Sequence, residues 1–349
     1  MSADRSTPEQ AAEVPAGVRA AVLGSGAWGT TFATVLADAG CHVALWGRDE
    51  AVARSVTTER RNEKYLPGVE LPVMTGTTDA AEALAGAQLV VVAIPSQVAR
   101  ATLTGLAHLV EPGAVVVSLM KGVELTTDKR MSQVVSEALG VPAERVAVVS
   151  GPNLALEIAT RQPTATVVAS VSEETARFVA TACSNAYFRP YTNDDVVGVE
   201  LCGAVKNIIA LAVGMAQGRG FGWNTTATLI TRGLVEITRL GLALGAEAET
   251  FSGLAGMGDL VATCASPLSR NHTLGKHIGQ GLTLDEAIAA TGGTAEGVKS
   301  SQSVLELAGK HGVEMPITAG VVGVLSGALP LSDLASTLLS RPQKSEGVY

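Results

Sequence analysis

The 349-residue chain has few cysteines, few aromatic residues and no excess of positive charge. Its four cysteines, Cys41, Cys183, Cys202 and Cys264, are widely scattered and form no CxxC pair. That pattern argues against a disulfide framework and against a zinc cluster, and it fits a reducing, cytoplasmic setting. A formal net charge of −8 argues against a general nucleic-acid or membrane-surface binder, so an anionic ligand has to meet a local basic pocket. None of the five histidines stands at metal-ligand spacing with another His, Asp or Glu cluster, and no metal is expected. There is no GxSxG motif and no P-loop. The purest apolar run, Leu89 to Ile94, is far too short to cross a bilayer, and the longer apolar stretches are broken by charges or glycines. Membrane insertion is therefore not expected. Residues 1–17 are polar, with no basic start and no apolar core, and read as a flexible tail rather than a secretory signal. No internal repeat and no low-complexity segment is present.

What remains is the composition of a folded α/β or α protein: 47% apolar and 17% charged, with only 3% aromatic. The length suits about two domains. The first is organised around Val18 to Gly40. An apolar run ends at Gly24, Gly26 and Gly29 in the spacing GxGxxG, and an Ala-rich helical pattern through Phe32, Val35 and Leu36 follows at once. Glycine at 24 permits a tight turn, at 26 it lets a pyrophosphate approach the backbone, and at 29 it lets the helix lie close on the strand. The N–H groups of the new helix then face the phosphates. Strand before and helix after make this a dinucleotide-binding signature.

A second short strand, His42 to Trp46, leads to Gly47, Arg48 and Asp49, about 20 residues past the glycines. An acid there holds a ribose 2′-hydroxyl, and an arginine there accommodates a 2′-phosphate. Arg48 favours NADPH, while Asp49 sits one step late for an NAD-selecting acid, so both cofactors stay open. Leu89–Ile94, Val115–Leu119 and Val146–Ser150 read as strands covered on both faces, ending at Pro95, Lys121 and Gly151. Alternating strands and helices predict a doubly wound parallel sheet, with Gly24, Pro95, Lys121 and Gly151 lining one crevice beyond the strands' carboxyl ends. Thr164–Ala169, a helix near Glu173–Ala182 and Phe188–Tyr191 complete that domain, whose expected extent is 18–192. From residue 193 to 340 the periodicity is helical, predicting an all-α second domain followed by a tail over 341–349.

In that second half, ELCGAVKNIIA (200–210) places Gly203 and Lys206 on one helix face, where glycine would open room for a ligand beside the ammonium. A lysine in apolar surroundings is costly to bury unless something anionic meets it. Asn207 adds a polar group on an adjacent line. Gly253, Gly256 and Gly258 allow an irregular backbone leading to Asp259, with Thr263 one helical turn further on. Ser269 reads as a helix N-cap, and Arg270 beside free helix N–H groups makes a compact phosphate or carboxylate site.

Taken in order, GSGAWGT (24–30), WGRD (46–49), NEKYLPG (62–68), AIPS (93–96), KGVE (121–124), GPNLA (151–155), AVKNIIA (204–210), FGWNTTATLITRGL (221–234), GLAGMGDL (253–260), SPLSRN (266–271), AEGV (295–298) and MPI (315–317) resemble the bacterial-type NAD(P)-dependent glycerol-3-phosphate dehydrogenases. The resemblance covers essentially Val18 to Leu339. It implies reversible hydride transfer between NAD(P)H and dihydroxyacetone phosphate, yielding sn-glycerol 3-phosphate for glycerophospholipid synthesis, in a homodimer. It implies Lys206 as general acid/base, assisted by Lys121 and Asp259. Substrate contacts fall to Lys121, Gly151, Asn153, Lys206, Asn207, Asp259, Thr263, Ser269, Arg270 and Asn271. Cofactor contacts fall to Gly24, Gly26, Ala27, Trp28, Gly29, Arg48, Pro95, Lys121, Ala155, Arg270, Thr294 and Glu296. The chain departs from the commoner pattern at Ala27, Asn153 and Thr294-Ala295, none of which removes a proposed catalytic group. Two-domain hydroxyacid dehydrogenases of the 3-hydroxyisobutyrate or 6-phosphogluconate type would share the glycine loop and the lysine, but not GLAGMGDL together with SRN. A cofactor-sensing protein without catalysis would not be expected to keep Lys121, Lys206 and Asp259.

Overall fold

The computed structural model describes residues 17–292 and 295–334, so nearly all of both expected tails lies outside the described residues. The first half alternates strands and helices: β1 (Arg19–Leu23), α1 (Ala27–Asp38), β2 (His42–Trp46), α2 (Glu50–Thr58), β3 (Thr75–Thr77), α3 (Ala80–Leu84), β4 (Leu89–Val92), α4 (Ala99–Leu106), β5 (Val115–Ser118), α5 (Met131–Leu139), β6 (Val146–Ser150), α6 (Ala155–Ala159), β7 (Thr164–Ala169), α7 (Glu173–Cys183) and β8 (Phe188–Asn193). The strands form one sheet in the order β3-β2-β1-β4-β5-β6-β7-β8. The first six are parallel and reverse direction of travel between β1 and β4, the point at which such sheets open a ligand crevice.

The β-branched runs behave as double-sided strands because alternate residues enter different cores. Leu89 and Val91 of β4 pack with Phe32, Val35 and Leu36 of α1. Val90 and Val92 pack with Leu103 of α4 and Val134 and Val135 of α5. Each fully buried side chain of this kind contributes on the order of 1.5–3 kcal/mol.

The sheet is the doubly wound, mostly parallel one expected, with one departure at its edge. β7 runs antiparallel to β6, pairing Val148 with Ala169, and β8 is parallel to β7. The segment 151–163 between β6 and β7 carries only the five-residue α6, so the chain folds straight back along β6 instead of crossing over. The eleven-residue α7 then supplies the crossover that makes β7 and β8 parallel. β3, three residues reading TGT, had no apolar signal to announce it.

The second half is helical: α8 (Val196–Gly218), α9 (Trp223–Ala243), α10 (Ala248–Ser252), α11 (Asp259–Ala265), α12 (Arg270–Gly279), α13 (Leu284–Thr291), α14 (Glu296–Lys310) and α15 (Pro316–Leu325). α8 is its axis, mostly apolar around its circumference and buried from Gly198 to Met215, with Glu200, Lys206 and Asn207 as its buried polar groups. It is long and apolar enough, by length and composition alone, to cross a membrane, although Glu200, Lys206 and its glycines interrupt it as expected, and it is almost wholly enclosed by this protein. Its backbone touches that of α12: a Cβ on Gly214 would meet the His272 carbonyl, and one on Gly275 would meet the Leu211 carbonyl. Glu200 ties α8 to the sheet domain, accepting from the Ser132 amide at 2.7 Å and hydroxyl at 2.6 Å and from Arg130.

Candidate active site

The glycine loop is built as its spacing demands. Gly24 has φ +123°, and a Cβ there would stand 2.5 Å from the Ala93 carbonyl oxygen. A Cβ on Gly29 would collide with the Gly24 carbonyl, so only glycine lets α1 lie this close to β1 and β4. Gly26 is open, with nothing within 4 Å of its Cβ position, and as the N-cap of α1 it offers no side-chain bond to the helix amides. The first N–H groups of α1, including that of Ala27, thus remain for phosphate oxygens, and the loop fits a dinucleotide. Trp28 is half-buried, edge-on to Phe32 at 5.7 Å, with its indole N–H unpartnered.

A residue that sequence reasoning did not single out holds this loop in place. Asn62, 1% exposed, donates from Nδ2 to the Ser25 carbonyl (3.0 Å) and to Thr30 Oγ1 (2.8 Å). Thr30 Oγ1 in turn donates to the Ser25 carbonyl (3.1 Å). The only sequence signal was its place at the head of NEKYLPG.

At the end of β2, Arg48 is exposed, with no ion pair among the described residues. Asp49 caps α2, accepting from the Ala51 and Val52 amides at 3.1 and 3.3 Å, and pairs with Lys64 at 2.7 Å. The Lys64 bond and the helix amides hold its carboxyl below the ordinary aspartate range. Both oxygens are engaged, and one acceptor position, on Oδ2 beside Lys64, is left for a ribose hydroxyl.

Further along the carboxyl edge, exposed Pro95 opens a 3₁₀ turn in which buried Ser96 donates to Glu296 Oε2 at the start of α14 (2.8 Å). This bond joins the two halves of the chain. Thr294 lies outside the described residues. Ala155 opens α6, and its carbonyl accepts from Thr31 of α1 at 3.1 Å.

The deepest polar cluster lies where β5, β6, α8 and α11 converge. Lys206 Nζ donates to Asp259 Oδ1 and to Thr263 Oγ1 (2.6 Å), and Thr263 donates to Asp259 Oδ1 (3.2 Å). Lys121 Nζ reaches the other carboxylate oxygen, Oδ2, at 2.8 Å and the Gly151 carbonyl at 3.4 Å. Lys206, Asp259 and Thr263 are buried, and Lys121 is half-buried. A π-helical turn over Leu254–Gly258, threaded through the glycines of GLAGMGDL, delivers Asp259 to the start of α11. Burial pulls the Lys206 ammonium well below the ordinary lysine range; Asp259 opposes that shift and Lys121 adds to it. Burial alone would raise the Asp259 carboxyl, but the two ammonium charges outweigh it and keep it ionised below the usual range.

Gly203 has a different use from the one its spacing suggested. Its Cβ position lies 3.0 Å from Ser150 Oγ, a tight approach, and 3.5 Å from Lys121 Cγ, an ordinary contact, so the missing side chain leaves room for Ser150 beside the Lys121 stem. Gly151, at φ +154°, bends the chain over Thr166. Asn153 donates from Nδ2 to Thr166 Oγ1 (3.0 Å) and keeps a buried, unpartnered Oδ1. Asn207 lies in α8 with its amide returned to the Gly203 carbonyl at 3.3 Å.

Ser269 is the N-cap of α12, accepting from the His272 amide at 3.3 Å. Arg270 follows at the first turn, exposed and without an ion pair among the described residues. Asn271 Oδ1 accepts from the Gly297 amide at 2.9 Å and so caps α14, whose own N-cap Ala295 has no side chain to do so. All four cysteines are buried free thiols, and burial lifts their pKa values, Cys41 to about 11 and Cys264 to about 12, which makes poor nucleophiles.

Two family models, described as the N-terminal and C-terminal parts of NAD-dependent glycerol-3-phosphate dehydrogenase, match residues 19–176 and 195–336. A glycerol-3-phosphate dehydrogenase (NAD(P)+) of Streptomyces griseus is 58% identical over 330 residues, covering 94% of this chain and 98% of that one. One from Corynebacterium jeikeium is 56% identical over 331 residues, covering 94% and 100%. The crystal structure of a glycerol-3-phosphate dehydrogenase from Coxiella burnetii is similar with a TM-score of 0.87 at 37% identity, over 92% of this chain and 98% of that one.

Proposed function

Since the chain belongs to the family of NAD-dependent glycerol-3-phosphate dehydrogenases, we propose that it interconverts dihydroxyacetone phosphate and sn-glycerol 3-phosphate through Lys206. It is an oxidoreductase, and its cofactor is NAD or NADP. The observation that carries the proposal is the buried cluster of Lys206, Asp259, Thr263 and Lys121 at the carboxyl edge of the sheet.

When bound, the nicotinamide supplies a hydride to the ketone carbon and receives it in the reverse direction. Negative charge then builds on the ketone oxygen. Lys206 carries three N–H donors, of which Asp259 and Thr263 take two. The third is available to that oxygen, first as a hydrogen bond and then as the proton. Asp259 orients the ammonium and favours its charged form, while the depressed pKa lets it give up the proton near neutral pH. Lys121, held by the other oxygen of Asp259, adds positive potential beside the reacting centre.

Arg270 and the helix start capped by Ser269 suit the substrate phosphate. The free Oδ1 of Asn153 suits a substrate hydroxyl as acceptor. Gly151 fixes the turn that presents it, and Asn271, its Oδ1 spent on α14, has its NH2 group to offer. Trp28, Arg48, Pro95, Ala155 and Glu296 border the dinucleotide in the same reading. The domains are read as 18–192 and 193–340, and the working form as a cytoplasmic homodimer whose product feeds glycerophospholipid synthesis.

The test is oxidation of NADH and NADPH by purified protein with dihydroxyacetone phosphate, unphosphorylated dihydroxyacetone and 2-oxo or 3-oxo acids. Turnover with the phosphorylated ketone alone is expected. Turnover only with an oxo acid would overturn the substrate assignment, and with it the roles given to Arg270 and Asn153.

A further inference from the structure

Asp49 and Lys64 create an arrangement that the dinucleotide reading does not by itself require. In a sheet of this order, the residue about 20 positions beyond the glycines faces the adenosine ribose, and an acid there selects the unphosphorylated 2′-hydroxyl. Asp49, one step late in sequence, is the acid of this chain nearest that place. Three of its four acceptor positions are nevertheless already taken: Oδ1 accepts two α2 amides, and Oδ2 accepts from Lys64 Nζ at 2.7 Å.

Lys64 does not come to this place by chance. Two residues earlier, Asn62 is buried and bonded to Ser25 and Thr30 of the glycine loop. The Asn62 carbonyl also accepts from the Leu66 amide at 2.8 Å, which closes a turn over 62–66. The turn is thereby anchored to the phosphate-binding loop, and Lys64 projects from it toward the end of β2. Its side chain is 55% exposed, and it spends one of its three N–H groups on Asp49. Exposed Arg48 stands on the other side of the same carboxylate in sequence. The end of β2 therefore carries Lys64 paired with Asp49, with exposed Arg48 and Glu50 on either side of that aspartate in sequence.

We propose that Lys64 is a specificity-determining residue of the cofactor site: it cancels Asp49 and offers its remaining N–H groups to the 2′-phosphate of NADPH. The inference rests on the dinucleotide reading of the glycine loop.

The experiment measures binding without turnover. Calorimetry compares 2′-phospho-ADP-ribose with ADP-ribose on the full chain, for the unaltered protein and for Lys64→Ala and Lys64→Arg. Lys64→Ala is expected to lose about tenfold in affinity for the phosphorylated ligand, as for removal of one charge-assisted hydrogen bond, while ADP-ribose binds as well or better. Lys64→Arg is expected to stay within about threefold of the unaltered protein. An equal loss for both ligands, or an unchanged ratio, overturns the proposal. If the unaltered protein binds neither ligand, the dinucleotide reading falls as well. If it binds both and only the ratio fails to respond, that reading stands and the role of Lys64 alone is lost.

Discussion

Lys206 and Asp259, 53 positions apart in the chain, meet as a buried ion pair in which Nζ donates to Oδ1, with 7% and 1% of their side-chain surfaces exposed. Neither charge would be tolerated there alone. The pair is completed by Lys121 on the second carboxylate oxygen, so one anion holds two cations of different exposure. The more buried cation is the one to which we assign the proton exchange.

Replacing Lys206 by methionine keeps the length and apolar bulk of the side chain and removes its charge. Asp259 retains Lys121, so the fold is expected to survive, as circular dichroism and melting would register. Turnover is expected to fall on the order of a hundredfold or more, with NAD(P)H affinity little changed. A variant that still turns over at the original rate would exclude Lys206 from the chemistry.

The two directions of reaction should depend on pH in opposite senses. Ketone reduction needs Lys206 protonated, so its kcat/KM should fall as pH rises through a pKa displaced below the ordinary lysine range by burial. Alcohol oxidation needs it neutral and should rise over the same interval. Profiles flat up to the ordinary lysine range, measured in both directions, would contradict the buried-lysine assignment.

Gly203→Ala tests Lys121 from a position that touches no ligand. The added methyl would stand 3.0 Å from Ser150 Oγ and 3.5 Å from Lys121 Cγ. Overpacking of this kind costs about 1–3 kcal/mol, to be read from denaturant unfolding. Ser150 is the group that must give, and a shift passed on from it to Lys121 should lower turnover about tenfold. Full turnover in a destabilised variant would show that the exact placement of Lys121 is unimportant.

Arg270→Ala should separate phosphate binding from chemistry. With an exposed, unpaired guanidinium at stake, stability should hold within about 0.5 kcal/mol. KM for dihydroxyacetone phosphate is expected to rise about tenfold or more, whereas any residual reaction of unphosphorylated dihydroxyacetone should not change. A parallel loss with both ketones would move Arg270 out of the phosphate site.

Much of this protein is written locally. Gly24, Gly26 and Gly29 determine a turn by sterics alone, and Leu89–Val92 announces a doubly covered strand because every residue in it is apolar. Ser269 caps its helix through a bond to a residue three positions away, and α8 shows an apolar run too long for a strand. Such features depend on neighbours within a few residues, so the order of the chain is enough to read them.

Other features depend on encounters between distant segments, and only the tertiary structure decided them. The reversal at β7 followed from how little helix lies between 151 and 163, measured against the length a crossover requires. Gly203 faces Ser150 and Lys121 because α8 packs on β6, and Asn62 serves the glycine loop because the segment after α2 returns to Ser25 and Thr30. Asp49 is neutralised by a lysine fifteen residues on, and Asn271 caps a helix that starts twenty-five residues beyond it. Lys206 became an acid/base candidate in apolar sequence, but its partners and its shifted pKa exist only once α11 closes over α8. Sequence determined which residue types were present and which elements they form; packing alone determined which charges face each other, because the desolvation and Coulomb energies that set their chemistry depend on distances in space.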